Sequence, residues 1–270
     1  MIDICTLTAP SHWHSIDLIS DLHLCEALPR TFEALDEHLG ATDANAVLIL
    51  GDLFEVWVGD DQQHRAFERS CVAALKQHSR RLWLGFMRGN RDFLVGSDLC
   101  ETAGLHLLSD PTCLHAYGER WLLTHGDALC LEDTEYQDFR VMVRGHAWQA
   151  QFLAQPFDTR WAVAGRIREE SRSRKSLTSD PKVWADVDPQ AGRAWLEQAG
   201  ARTMIHGHTH RPGDQDWGHG AGRSVLSDWD LDHAPYRAEV LRLDATGLSR
   251  CAPAVRTQAP AEAGATTLPS

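Results

Sequence analysis

The sequence predicts an α/β fold with a helical insertion, on three observations. Short apolar runs alternate with helical patterns over the first ~130 residues. From Leu131 to Gly200 strand-like runs are scarce, and aromatic and basic residues take their place. Strand-like runs return between Ala201 and Leu243. The 270 residues, 43% hydrophobic and 24% charged, can bury one large core with a smaller appended unit.

Each element has its own signal. Ile16 to Ser20 reads as a strand. Thr31 to Leu39 reads as a helix, because Phe32, Leu35 and Leu39 recur at helical spacing. Ala46 to Leu50 is continuously apolar, as a strand buried on both faces requires. Ala66 to His78 is helical in pattern, and Arg81 to Met87 is the next strand. This alternation implies a sheet with crossover connections. Thr112 to Ala116 and Arg120 to Thr124 flank the turn-like Tyr117-Gly118-Glu119, so a hairpin is expected. The stretch with Tyr136, Phe139, Trp148, Phe152, Phe157 and Trp161 reads as mostly helical. Ala201 to Ile205, Val225 to Trp229 and Ala238 to Leu243 complete the strands. Residues 1–130 and 200–250 therefore make the core, 131–199 the insertion, and 252–270 a disordered tail without apolar period.

Composition narrows the function classes. A formal charge of −12 argues against nucleic acid as a partner. The cysteines, 7 in number and without a C-x-x-C pair or a secretory segment ahead of them, predict reduced thiols in a cytosolic protein. No apolar run nears the ~18 residues of a membrane-spanning helix, which leaves a protein resting on a membrane surface open.

Five motifs follow expected strands directly: Asp21-Leu22-His23, Gly51-Asp52, Gly89-Asn90-Arg91-Asp92, His125-Gly126-Asp127 and His206-Gly207-His208-Thr209-His210. Ligands in open α/β sheets bind beyond the carboxyl ends of the strands, so all five should meet at one edge. They bring together Asp21, His23, Asp52, Asn90, His125, His206 and His208. Hard oxygen and imidazole ligands without thiolate suit Mn²⁺, Fe²⁺ or Zn²⁺. Seven ligands exceed the needs of one such ion and fit two ions sharing a carboxylate. Glycines beside these residues let the backbone turn tightly.

The order D-x-H, G-D, G-N-x-D, H-G, G-H-x-H resembles the calcineurin-like metallophosphoesterase superfamily over about residues 16–245. The resemblance implies a two-layer β-sandwich flanked by helices, with two metals at the strand ends. Carried over by position, it assigns Asp21, His23, Asp52 and His208 to one metal. It assigns Asp52, Asn90, His125 and His206 to the other. The strings Gly51 to Asp61 and Gly89 to Leu94, with Ser20 to Leu24, His125 to Cys130 and His206 to Pro212, are similar to the UDP-2,3-diacylglucosamine pyrophosphatases of lipid A biosynthesis. That likeness implies water attack on the α-phosphorus of this lipid-linked nucleotide sugar, giving UMP and 2,3-diacylglucosamine 1-phosphate, with Mn²⁺ favoured. Asp52, Asn90, Arg91 and His125 would be catalytic, on the cytoplasmic face of an inner membrane. Where the superfamily usually has His, this chain has Arg91. A departing phosphate needs a fixed positive charge more than a proton, so the exchange suits a pyrophosphate substrate.

The same likeness implies substrate contacts from Asn90, Arg91, His206, Asp133, Ser171 and Lys175, with Lys182 a competitor for the last. Residues Arg160 to Lys182 carry seven basic side chains against three acids, in an otherwise acidic chain. Such a segment faces phosphates or an anionic membrane surface, or else is a solvated helix face with internal pairs. Asp127 is a candidate for orienting a ligand histidine. Two other readings stay open: a phosphodiesterase or phosphatase for soluble nucleotides, and a metal-binding scaffold without catalysis.

Overall fold

The computed structural model describes residues 2–177 and 185–255, with side chains over the same span except 170–177. The expected tail falls largely outside it, as does Lys182. The strands are β1 (Cys5–Thr8), β2 (Ser15–Ile19), β3 (Ala46–Leu50), β4 (Trp83–Met87), β5 (Leu105–Leu108), β6 (Thr112–Ala116), β7 (Glu119–Thr124), β8 (Thr203–His206), β9 (Gly213–Gly218), β10 (Ala221–Val225), β11 (Val240–Asp244) and β12 (Gly247–Cys251). The helices are α1 (Pro29–Ala41), α2 (Ala66–His78), α3 (Ser97–Ala103), α4 (Thr134–Arg144), α5 (His146–Leu153), α6 (Phe157–Leu177) and α7 (Pro189–Ala199).

Two six-stranded sheets pack face to face, in the orders β12-β11-β2-β3-β4-β5 and β1-β6-β7-β8-β10-β9. This is the expected two-layer sandwich flanked by helices. Strands β2 to β5 pair in parallel through α1, α2 and α3. The apolar run of β3 explains itself by alternation. Ala46, Leu48 and Leu50 face the second sheet, against Leu114, Leu123 and Ile205. Val47 and Ile49 face the helices, against Leu35, Leu39 and Leu75. Both faces are dry, so every position is apolar. In β2, Asp17 is fully buried and is held by Arg242 Nε at 2.7 Å and Thr42 Oγ1 at 2.6 Å.

Helix α7 rests on the outer face of the second sheet, where Leu196 packs with Leu122 and Met204. Helices α4, α5 and α6 instead lie near the strand ends, with Trp148, Phe157 and Trp161 against the first sheet's outer cluster. Arg160, counted above among the basic residues facing outward, is buried and donates to Val58 O and Asp61. The strand expected over Val225 to Trp229 ends at Val225. Leu226 and Trp229 still enter the core, but from irregular backbone tied by Leu226 N to His206 O at 2.7 Å and Trp229 N to Asp21 O at 3.0 Å. No helix among the described residues is long and apolar enough to cross a membrane.

Candidate active site

The loops after β2, β3, β4, β7 and β8 converge at one edge of the sandwich. Asp21, His23, Asp52, His208 and His210 all have positive φ, between 49° and 64°. Non-glycine residues seldom adopt this conformation, and its concentration here marks a site the surrounding packing over-determines. Backbone bonds between loops hold it: His23 N donates to Asp52 O at 2.9 Å, and Asp21 N to Gly51 O at 3.1 Å. Gly89 shows why glycine is required. A Cβ there would lie 2.1 Å from Asp52 Oδ1 and 2.4 Å from Asp52 N.

Two clusters of donor atoms meet at Asp21 and Asp52. The first joins Asp21, His23 and His210; the second joins Asp21, Asp52 and His125. Asp52 Oδ2 lies 3.9 Å from His23 Nε2, and its Oδ1 lies 3.7 Å from His125 Nε2, so its two oxygens face the two clusters. Asn90 Oδ1 sits 2.9 Å from His125 Nε2 and 2.8 Å from His208 Nδ1. His125 Nδ1 donates to Leu50 O at 2.9 Å, which turns Nε2 toward the site.

The three histidines after β8 divide differently from the expectation. His210 Nε2 is 3.4 Å from Asp21 Oδ1 and 3.2 Å from His23 Nε2. His208 stands with Asn90 and His125, its ring 5.1 Å from that of His125. His206 is still within β8, where alternate residues point to opposite faces. Ile205 enters the core between the sheets and Met204 the cluster outside, so His206 shares the outer face with Met204. Its Nδ1 contacts Gly207 O at 2.9 Å, and no described hydrogen bond joins its ring to the other ligand candidates. The string G-H-x-H, set on Gly207 to His210, is the signal that finds His210.

The electrostatics favour a cation. Burial opposes protonation of His125, yet Asp52 and Asp21 outweigh it and push its pKa up to about 9. Burial, reinforced by His125, pushes His208 down to about 3. Burial likewise brings His206 to about 4. Asp21 Oδ1 is buried and accepts no hydrogen bond among the described residues. Two carboxylates, imidazoles and an amide oxygen without thiolate match divalent first-row metals, and the orphaned oxygen gives one a place. The residues present thus fit a pair of ions.

Neighbours missing from the sequence reading orient the ligand candidates. Glu55 Oε2 is 3.0 Å from His23 Nδ1, and Asp228 Oδ2 is 3.6 Å from His210 Nδ1. Burial raises the Glu55 carboxyl, but His23, Arg91 and Arg168 outweigh it and bring it down to about 2. Asp127, fully buried, touches no ligand histidine by hydrogen bond. It accepts from Tyr136 Oη at 2.5 Å and Arg140 Nε at 2.8 Å, tying α4 to the turn after His125. The Tyr136 ring in turn stacks 6.1 Å from His208.

A cavity of about 390 Å³ opens over Asp52, Asn90, His208 and His210. Beside it is an apolar groove of about 70 Å³ between Trp57, Phe93, Phe139, Trp148, Phe152 and Ile167. Arg91 and Arg168 line both. Asp133 lies apart from both, as the N-cap of α4, accepting from Tyr136 N at 3.0 Å. Ser171 and Lys175 belong to α6, but their side chains lie outside the described residues.

The model of the calcineurin-like phosphoesterase family matches residues 14–212. A UDP-2,3-diacylglucosamine hydrolase of Bordetella pertussis is 42% identical over 86% of this chain and 92% of its own. Enzymes of the same name from Xanthomonas oryzae pv. oryzae and Stenotrophomonas maltophilia are also 42% identical over 86% of this chain, covering 96% and 95% of theirs.

Proposed function

The chain belongs to the calcineurin-like phosphoesterase family, and from that premise we propose that it hydrolyses UDP-2,3-diacylglucosamine to UMP and 2,3-diacylglucosamine 1-phosphate. The observation that carries the substrate is the join of the cavity to the apolar groove through Arg91 and Arg168. A soluble nucleotide has no use for such a groove, whereas the acyl chains of a diacylated one gain an apolar point of entry.

One set of ligands is Asp21, His23, Asp52 and His210; the other is Asp52, Asn90, His125 and His208. Two divalent ions held by these residues, Mn²⁺ by preference, would supply an activated water and neutralise phosphoryl charge. Asp52 serves both sets through its two oxygens. Arg91 N donates to Asp52 Oδ1 at 2.8 Å, which fixes the loop that carries the Arg91 guanidinium. That guanidinium meets the departing sugar phosphate at the mouth of the groove. Water attacks the α-phosphorus, the bond from it to the bridging oxygen breaks, and the attacking water's proton passes to solvent.

Helices α4, α5 and α6 form the lipid side. At about 70 Å³ the groove is far smaller than the roughly 300 Å³ of a typical ligand site, so these helices part to admit acyl chains. Val141, Met142 and Leu153 are exposed on α4 and α5. They support contact with the cytoplasmic surface of an inner membrane, where the substrate resides.

The test is incubation of purified protein with UDP-2,3-diacylglucosamine and Mn²⁺, with and without chelator. UMP and the lipid phosphate should form only without chelator. Equal turnover of a soluble nucleotide diester would instead favour the soluble-substrate reading.

A further inference from the structure

The cavity continues past the ligand candidates on the side away from the groove. A chain of contacts sets its direction. Arg168 pairs with Glu55, Glu55 Oε2 reaches His23 Nδ1 at 3.0 Å, and His23 Nε2 lies 3.2 Å from His210 Nε2. His210 Nδ1 is 3.6 Å from Asp228 Oδ2, which accepts from Arg237 Nη2 at 2.8 Å. Arg168 borders the groove; Arg237 lines the far end, with Ala27, Leu28, Asp230 and His233.

That far end is built. Helix α1 has no side-chain cap of its own at Leu28. Asp232 supplies one from a distance: its carboxylate accepts from Arg30 N at 3.1 Å, Thr31 N at 3.0 Å and Thr31 Oγ1 at 2.8 Å. The loop holding Asp232 is itself closed by two backbone bonds of 2.8 Å between Asp230 and Arg237. The two walls, Ala27-Leu28 and the 230–237 loop, are thereby pinned to each other before any ligand arrives.

We infer that this end is the nucleoside subsite, holding the uridine of UMP while its phosphate lies at the ligand cluster. The inference rests on the proposed reaction. With the lipid in the groove and the scissile bond between, the nucleoside half is left with the opposite end. The charge pattern agrees. Asp228 and Asp230 would repel a second phosphate, while a neutral nucleoside with several donors and acceptors suits a wall of mixed charge. Leu28 and Ala27 offer apolar area to the base, and the exposed His233 ring can lie over it.

The experiment measures UMP binding by calorimetry to the Mn²⁺-supplemented protein, and inhibition of turnover by 2,3-diacylglucosamine 1-phosphate. Variants Ala27→Trp, which fills the far end, and His233→Ala, which removes the ring, both alter exposed positions. UMP affinity should fall at least ~10-fold in the first and about 5-fold in the second, the scale of a lost base contact. Inhibition by the lipid phosphate should stay unchanged. Unchanged UMP affinity in both variants, equal weakening of both products, or no UMP binding to the parent protein would overturn the subsite while leaving hydrolysis intact. UMP binding weakened as expected in a protein that does not cleave the lipid nucleotide would support the subsite and sink the proposed reaction alone.

Discussion

Replacing Asp127 with Ala should destabilise the protein by about 3 kcal/mol, the lower end for breaking a buried ion pair. The lower end applies because Arg140 and Arg144 keep 21% and 23% of their side chains exposed and regain some solvation. Asp127 itself has no exposed surface. Tyr136, Arg140 and Arg144 are spaced four apart on α4, so one helix face is aimed at this carboxylate. Without it the Tyr136 hydroxyl loses its acceptor, and α4 loses its tie to the turn after His125. Urea melts of metal-free protein read the stability directly. Asp127→Asn keeps an acceptor without the charge and should fall between parent and alanine variant. The tie also predicts a functional split. Tyr136 stacks on His208, and α4 borders the groove through Phe139, so KM for the lipid substrate should rise by more than kcat falls. A loss below 1 kcal/mol, or Asn no better than Ala, would mean that the Asp127 carboxylate does not anchor α4.

Other perturbations follow from the same geometry. Metal analysis after dialysis should find two ions per chain in His206→Ala but a reduced content in His210→Ala; the reverse result would restore the first assignment. Gly89→Ala must push Asp52 aside, since backbone lies within 2.4 Å of the new Cβ, and should lower turnover at least ~10³-fold; a tenth of parental activity would contradict this. Asp186 is raised by burial but held by Arg223 and brought down to about 2. Its folded pKa lies below the unfolded one, so its stabilisation is complete above about pH 4 and vanishes as pH falls through 2. Asp186→Asn should then cost on the order of 1 kcal/mol at pH 7, discounted for partial exposure, and only a small fraction of that at pH 2; urea melts at both values decide.

Much of this site was legible because chemistry and local structure coincide. A five-residue apolar run between polar breaks has the length and pattern of a strand buried on both faces, and β3 has those bounds. Motifs that follow strands in a crossover sheet must gather at one edge, whatever the details. What stayed hidden depended on tertiary neighbours. Strands β1, β5, β9 and β12 are largely or partly exposed, so they lack the apolar pattern that reveals β3. The run ending at Trp229 reads as a strand because Val225, Leu226 and Trp229 are apolar and enter the core, the last two from irregular backbone. The three histidines at alternate positions are separated in sequence only by setting the G-H-x-H string on Gly207 to His210. The pleat that sends Ile205 into the core explains why His206, the last residue of β8, parts from the two that follow. Arg160 shows the same limit: charge in a basic stretch says nothing of the side chain's own burial against Asp61. Asp228 lies outside every motif, and Glu55, though within the string from Gly51 to Asp61, meets His23 only in the fold.

The most direct test of the central claim is hydrolysis of UDP-2,3-diacylglucosamine in ¹⁸O-water with Mn²⁺, followed by mass spectrometry of both phosphorus products. UMP should carry one ¹⁸O and 2,3-diacylglucosamine 1-phosphate should be unlabelled, because the water attacks the α-phosphorus while Arg91 holds the leaving phosphate. Label in the lipid phosphate, or no cleavage by metal-replete protein, would contradict it.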